Sequence, residues 1–154
     1  MTDIRAEAAA GTFDYTRGAL DATVSRGLGG GFAAALTGSA GTSGGTLPPQ
    51  RAWFIGGSHT VRGQRPSLTL PGQVGNSYWL GRAELGKQFN VVRPSVFGDV
   101  GWAGDRSAWS HPGRPVSGAG IGASILDGLF RADLSRGIWP RKRTLLDLYF
   151  EARF

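Results

Sequence analysis

The chain has 154 residues, of which 26 are glycine and none is cysteine, with a net charge of +6 at neutral pH and a mean hydropathy of −0.15. This length is enough for one domain, and the lack of cysteine excludes disulfides, thiolate catalysis and cysteine–zinc sites. No run approaches the roughly 20 apolar residues of a membrane-spanning helix, but this hydropathy is compatible with a membrane barrel, because every second residue of its strands is polar.

Alternating apolar and polar residues predict strands from the start of the chain. Successive side chains of a strand point to opposite faces, so an alternating stretch indicates a strand with one apolar face and one polar face. In the second stretch, for example, Leu20 and Val24 fall on one face and Asp21 falls on the other. The first three predicted strands cover residues 4–11, 15–26 and 32–40.

A long connection then interrupts the series of strands. Residues 41–75 are rich in glycine and proline, which indicates turns and loops rather than a strand. The connection is too long for an ordinary hairpin, and we therefore predict that it carries function. Five further strands are predicted beyond it, at residues 77–86, 91–103, 116–126, 130–137 and 144–154.

The last predicted strand has the most regular alternation. Its apolar face consists of Leu146, Leu148, Phe150, Ala152 and Phe154, and its polar face of Asp147, Tyr149, Glu151 and Arg153. A strand of about 9–11 residues with two such faces is typical of a membrane barrel, in which lipid contacts one face and a wet lumen the other. The sequence therefore predicts an all-β fold, an antiparallel up-and-down transmembrane β-barrel with about eight strands present. A soluble β-rich binding module is the alternative from a different class.

The lengths of the connections predict the orientation of the barrel. Outer-membrane barrels have short periplasmic turns and long extracellular loops. If the end of the chain is periplasmic, the long connections at 41–75 and 104–115 lie outside the cell. The short ones near residues 27–30, 87–91 and 126–129 then lie on the periplasmic side, so long and short connections sort consistently.

The most distinctive motif lies in the long connection, at residues 54–64. Its glycine pair and the following Val-Arg-Gly triplet resemble the inward-folded loop of the superfamily that contains the BamA and TamA outer-membrane assembly factors and the two-partner secretion transporters (the bacterial surface antigen family). The family usually has phenylalanine or tyrosine where this chain has Gln64. The residues that carry this resemblance are Gly56, Gly57, Val61, Arg62, Gly63 and Gln64.

Three further motifs follow in the order that the family has them. The stretch from Phe97 through Asp99 to Gly101 resembles the family's Phe-x-Asp-x-Gly strand, and Glu84 matches the acidic residue of the strand before it. The last strand, residues 144–154, resembles the family's terminal insertion signal, carried by Leu148, Phe150 and Phe154. The resemblance implies the C-terminal half of a sixteen-strand barrel in the bacterial outer membrane. The loop region 47–75 would be folded into its lumen.

A buried ion pair is predicted between that loop and the barrel wall. Asp99 and Glu84 both fall on the polar faces of their strands, which line the lumen. An arginine such as Arg62, on a loop inside the lumen, can pair with either carboxylate through charge-assisted and bidentate hydrogen bonds. Gly63 permits close approach of the backbone beside it. We predict that Arg62 fastens the loop to Asp99, more strongly than a surface ion pair worth about 0–1 kcal/mol.

The resemblance implies a barrel that inserts client outer-membrane proteins or translocates a secreted protein, without bond chemistry. Such a barrel offers a path and a strand edge to which a client can add. Alternatives are a two-partner secretion transporter and the membrane anchor of a surface patatin-like phospholipase. The implied partners are membrane lipid, client outer-membrane or secreted proteins, and an N-terminal barrel half with periplasmic domains beyond this chain. The other arrangement is a closed barrel of eight strands, whose narrow lumen leaves little room for the loop.

Other binding and catalytic classes are not indicated. The basic residues are scattered except at 141–143, so we predict no nucleic-acid partner. His59 and His111 lack the several converging ligands that a metal needs, and neither Ser-His neighbour pair orients a nucleophile towards a base. The glycines of 118–122 lack the spacing of a phosphate-binding loop and are better explained as room for the lumen loop. We predict no catalytic residue, no cofactor and no metal, and hence no enzyme.

Overall fold

A computed structural model of the chain describes residues 1–64 and 74–150, and these form an all-β fold. In chain order the strands are β1 (Thr2–Ala9), β2 (Tyr15–Gly29), β3 (Phe32–Gly45), β4 (Trp53–Phe54), β5 (Val74–Gly75), β6 (Ser77–Lys87), β7 (Val92–Gly104), β8 (Val116–Ile125), β9 (Phe130–Trp139) and β10 (Thr144–Phe150). Short 3₁₀ turns lie at Pro49–Arg51, Arg106–Ala108 and Leu126–Gly128. None of the described helical turns is long and apolar enough to cross a bilayer.

Eight long strands form one antiparallel sheet in the order β1-β2-β3-β6-β7-β8-β9-β10. Each of these eight strands pairs with the long strand that is next to it in the sequence. The short β4–β5 ribbon belongs to the connection between β3 and β6. The prediction of an all-β, antiparallel, up-and-down fold with about eight strands is confirmed. Within the described residues, β1 and β10 each pair on one side only and form the two edges of the sheet.

The two faces of the sheet differ in polarity, as the alternation predicts. The apolar face carries large hydrophobic side chains that are exposed, and Val24 (69% exposed) and Leu36 (61%) lie opposite each other on it. The polar face carries buried polar side chains, and we name the two faces accordingly. The exposed residues of the apolar face include Ile4, Leu20, Leu85, Val96, Val100, Ile121, Leu134, Leu146 and Leu148.

A cluster of buried apolar side chains lies on the polar face, under the long connection. This cluster joins Ile55 and Val61 of the connection to Leu80 and Val116 of the sheet, and the rings of Trp53 and Trp139 pack against it. The apolar face as a whole is therefore not the core of the protein. It is an exposed surface, whereas the protein interior lies on the opposite side of the sheet.

Some predicted boundaries are wrong. β2 continues past residue 26 to Gly29, β9 continues past residue 137 to Trp139, and residues 41–45 are strand and not connection. β3 continues to Gly45 and pairs with β2 as far as Tyr15. Gly41 makes room for large neighbours rather than for a turn. A Cβ on Gly41 would lie 2.5 Å from the Tyr78 ring and 3.1 Å from the Trp53 ring.

The tightest hairpins and the two longest connections lie at opposite ends of the sheet. At one end the hairpins are tight, and Gly30 and Gly31 both have positive φ (59° and 80°), as a two-residue turn that follows the twist of the strands requires. The connections at 88–91 and 126–129 lie at this same end. The long connections at 46–76 and 105–115 lie together at the other end, as the sequence predicts, and the short connections at 10–14 and 140–143 lie there too.

A pair of glycine substitutions in β3 should separate close packing from strand propensity. Gly41→Ala should lower the free energy of unfolding by about 1–3 kcal/mol, because the added methyl group overlaps Tyr78 and the Gly18 carbonyl. Gly38→Ala is the matched control, since a Cβ there meets nothing within 4 Å and should stabilise the strand by about 0.5–1 kcal/mol. Denaturant titration of the folded protein in detergent measures both values. Equal effects of the two substitutions would contradict the packing at Gly41.

Candidate functional site: an arginine loop on the polar face

Residues 55–64, which we call the arginine loop, lie against the polar face of the sheet. The loop is closed on itself by the Gly57 N–H, which donates to the Gln64 carbonyl over 2.5 Å. The Gly56 N–H donates to the Thr60 hydroxyl over 2.7 Å, and both glycines have positive φ (141° and 91°). Ile55 and Val61 anchor the loop, because both are fully buried in the apolar cluster under it.

The side chain of Arg62 is buried, with 1% of its surface exposed, and contacts Asp99 of β7 in a two-pronged arrangement. Its Nε donates to Asp99 Oδ2 and its Nη2 to Asp99 Oδ1, each over 2.7 Å. The Arg62 backbone N–H also donates to Asp99 Oδ2, over 3.0 Å. The guanidinium lies 3.4 Å from the centroid of the Phe97 ring, which adds a cation–π contact.

Two further carboxylates complete the surroundings of Arg62. Its Nη1 donates to Glu84 of β6 over 3.1 Å and to Asp133 of β9 over 3.4 Å. Arg131 binds the same two carboxylates, through both of its Nη atoms to Glu84 (2.8 and 2.7 Å) and through its Nε to Asp133 (2.9 Å). With Arg82, whose Nε lies 3.5 Å from Asp99, three guanidiniums face three carboxylates and the cluster is electrically neutral.

Pairing is what allows these charges to remain buried. Burial alone would lower the pKa of Arg62, but the hydrogen bonds and attraction from Asp99, and then from Glu84 and Asp133, outweigh it and raise the pKa above its ordinary value. The guanidinium is therefore positively charged at every physiological pH. The arginine loop is fastened by a permanent cation rather than by a group that titrates.

Glycines of the sheet and the loop create the space that the site occupies. A Cβ on Gly118 would overlap the Arg62 carbonyl, and one on Gly120 would lie 2.6 Å from the Phe97 ring. Gly63 has a φ of +81°, and a Cβ there would lie 2.5 Å from the Gly137 nitrogen. The glycines of β8 thus make room for the loop and its aromatic neighbour, as the sequence analysis expects.

Gln64 closes the loop by contacts with main-chain carbonyls. It is fully buried, and its Nε2 lies 3.0 Å from the Ser117 and Trp139 carbonyls and 3.1 Å from the Arg141 carbonyl. Its Oε1 has no hydrogen-bond partner in the described part of the chain. The amide therefore ties the end of the loop to the rim formed by β8, β9 and the segment after β9.

The structure assembles some of the predicted residues at one place and leaves others apart. Gly101 lies beside the loop, since a Cβ on it would be 3.3 Å from the Ile55 side chain. Leu148 and Phe150 lie on the apolar face and are 74% and 69% exposed, whereas the charge cluster lies on the polar face. Phe154 falls outside the described residues.

Four residues at the cluster did not emerge from the sequence, namely Asp133, Arg131, Arg82 and Tyr149, whose hydroxyl donates to Asp133. Each alternates onto the polar face of its strand, which was the available signal, but alternation does not say which polar residues meet. Within residues 1–64 and 74–150, no group of histidines and carboxylates is arranged to hold a metal ion.

Comparison with known proteins gives a match of fold. No protein-family model matches the chain, and no curated protein matches its sequence. Among solved structures, the crystal structure of BamA from Haemophilus ducreyi lacking POTRA domains 1–3 matches with a TM-score of 0.67 and 14% sequence identity. The match covers 88% of this chain and 35% of that chain. The sheet therefore has a BamA-like β-barrel fold, and this chain spans about a third of the length of the similar structure.

The buried arginine and an exposed arginine should differ sharply in their effect on stability. Arg62→Ala leaves three carboxylates without their shared cation, and breaking a buried ion pair costs about 3–5 kcal/mol. Because the pairing between the strands does not involve Arg62, the expected result is a loop that detaches while the sheet stays folded. Limited proteolysis within residues 55–64, followed by denaturant titration in detergent, measures this.

Arg5→Ala is the control for that experiment. Arg5 pairs with Asp21 on the surface of β1 and β2, with 64% of its side chain exposed, so its loss should cost less than about 1 kcal/mol. The cleavage pattern of residues 55–64 should not change in this variant. Unaltered proteolysis in Arg62→Ala would contradict the role of the buried cluster in holding the loop.

Proposed function

We propose that this chain is part of an outer-membrane β-barrel that inserts outer-membrane proteins into the membrane. The observation that carries the proposal is the buried Val-Arg-Gly loop, whose Arg62 binds Asp99 of a Phe-x-Asp-x-Gly strand through two hydrogen bonds. This motif pairing and the BamA-like fold are separate arguments, because a match at 14% identity rests on backbone geometry and not on the motifs. No bond chemistry is involved in this function.

The apolar face supports a location in the membrane. Contiguous exposed apolar patches larger than a few hundred Å² are rare on soluble proteins, since water disfavours them. Here the apolar face runs across all eight long strands, with residues such as Leu36, Val96 and Leu146 more than half exposed. Acyl chains would cover this face, and the charge cluster would then lie inside the lumen with the arginine loop.

The two sheet edges support an exchange of strands as the mechanism. In the described residues, β1 and β10 leave one side of their backbone groups without a strand partner, and lipid tolerates no such edge. We propose that further strands of the same barrel pair with these edges. A client strand would add to an edge through main-chain hydrogen bonds, which is a general mode of peptide recognition.

A charge placed on each face should test the membrane location. Val24→Arg puts a charge on the apolar face and should lower the free energy of unfolding in lipid vesicles by up to about 2–4 kcal/mol. Ser25→Arg, one residue further on the polar face, is the control and should change it by less than about 1 kcal/mol. A larger effect of Ser25→Arg would contradict contact between the apolar face and lipid.

The assembly role should be visible in cells. Depletion of the full-length protein should reduce the amount of folded outer-membrane barrels, scored by their heat-modifiable migration, while unfolded clients accumulate in the periplasm. Supply of the Arg62→Lys variant should restore assembly only in part, because lysine keeps the charge but loses the two-pronged bond to Asp99. Normal barrel assembly with loss of one secreted protein would instead indicate a two-partner secretion transporter.

A further inference from the structure

The edge strand β10 contacts the charge cluster through one tyrosine. The Tyr149 hydroxyl donates to Asp133 Oδ2 over 2.7 Å, and the same oxygen lies 3.4 Å from Arg62 Nη1. Asp133 is fully buried and stands on β9, between β10 and the arginine loop. One carboxylate oxygen thus joins the edge of the sheet to the cation that fastens the loop.

The surroundings of Asp133 make this connection stiff. Its other oxygen, Oδ1, accepts from Arg131 Nε over 2.9 Å, so both oxygens are occupied. A Cβ on Gly122 would overlap this oxygen, which shows that the site is cleared for the carboxylate and closely fitted around it. A buried carboxylate held by three donors cannot turn towards one of them without losing another, because any unpaired oxygen would be desolvated without compensation.

The contact of β10 with Asp133 depends on the tyrosine and not on its neighbour. Asp147 is the residue of β10 that pairs with Asp133 in the register of the sheet, and it carries the same charge. The attraction between this edge strand and the cluster is therefore supplied by the Tyr149 hydroxyl.

We propose that Tyr149 is a positioning residue that couples the edge strand β10 to the docking of the arginine loop, through Asp133. When the loop is docked, Arg62 and Tyr149 share the carboxylate and β10 is held against β9. When the loop moves, Asp133 loses one donor and the hold on β10 weakens. The functional consequence rests on the proposed function: the readiness of this edge to accept a strand would depend on the loop. The coupling itself requires no client.

The opposite edge offers a matched arrangement that is not joined to Arg62. On that side the Tyr15 hydroxyl donates to Glu7 of β1 over 2.7 Å, and Glu7 is bridged to Arg51 (3.2 Å). As at Tyr149, a tyrosine hydroxyl donates to a carboxylate over 2.7 Å. The cation bridged to Glu7, however, is Arg51, which precedes the arginine loop in the chain. Tyr15→Phe is therefore the control for Tyr149→Phe.

Hydrogen exchange of the purified barrel in lipid nanodiscs, with no client present, tests the coupling. Tyr149→Phe removes only a hydroxyl, and the sheet is expected to stay folded. The amides of the arginine loop should exchange about tenfold faster. This factor is what we expect when part of the effect of losing a hydrogen bond to a buried charge is transmitted to the loop. Tyr15→Phe should leave the exchange of the arginine loop unchanged.

The reciprocal experiment distinguishes coupling from a local structural role. Arg62→Lys should accelerate exchange in β10, although no hydrogen bond joins Arg62 to Thr144–Phe150, and should leave β1 unchanged. The Arg62→Lys/Tyr149→Phe double variant should show less than the sum of the single effects in free energy. Faster exchange of β9 and β10 alone in Tyr149→Phe, or an equal effect of Tyr15→Phe on the loop, would overturn the proposal. Because no client is present, these outcomes are independent of the cellular assembly test.

Discussion

The burial of one arginine cation is the interaction on which the rest of this structure depends. Arg62 is held by Asp99, Glu84 and Asp133, which come from three strands, β7, β6 and β9. Each of these charges alone would be too costly to remove from water, and the cluster persists because the loop and the strands satisfy one another. A single cation of the loop therefore contacts three strands of the sheet.

The arrangement of the two faces follows from the same principle. In a soluble sheet the apolar face meets the core, whereas here it is exposed and the interior of the protein is formed by the loop, an apolar cluster and paired charges. In the proposed function, lipid covers the apolar face and the loop fills part of the lumen on the other side. Glycines on the polar face, such as Gly118 and Gly120, are needed because the loop backbone and the Phe97 ring approach the sheet closely.

Part of the site could be predicted from the sequence, and part could not. The Gly-Gly and Val-Arg-Gly motif together with the Phe-x-Asp-x-Gly strand directed attention to Arg62, Asp99 and Glu84, which the structure places in contact. Asp133 and Tyr149 carry no motif, and 71 residues separate Asp133 from Arg62 along the chain. Their meeting depends on the register of β9 and β10 and on the depth of the loop, neither of which has a local signal.

The sequence by itself determined the strands and their faces, because a period of two is a local property of an extended chain. It also determined which end of the sheet has the tight turns, since glycines such as Gly30 and Gly31 permit the positive φ that a two-residue hairpin needs. Only the tertiary structure decided that residues 41–45 continue β3 and that Gln64 ties the loop to the rim. The reason is the same in both cases: a glycine or an amide is compatible with several local conformations, and the neighbours brought by the fold select one of them.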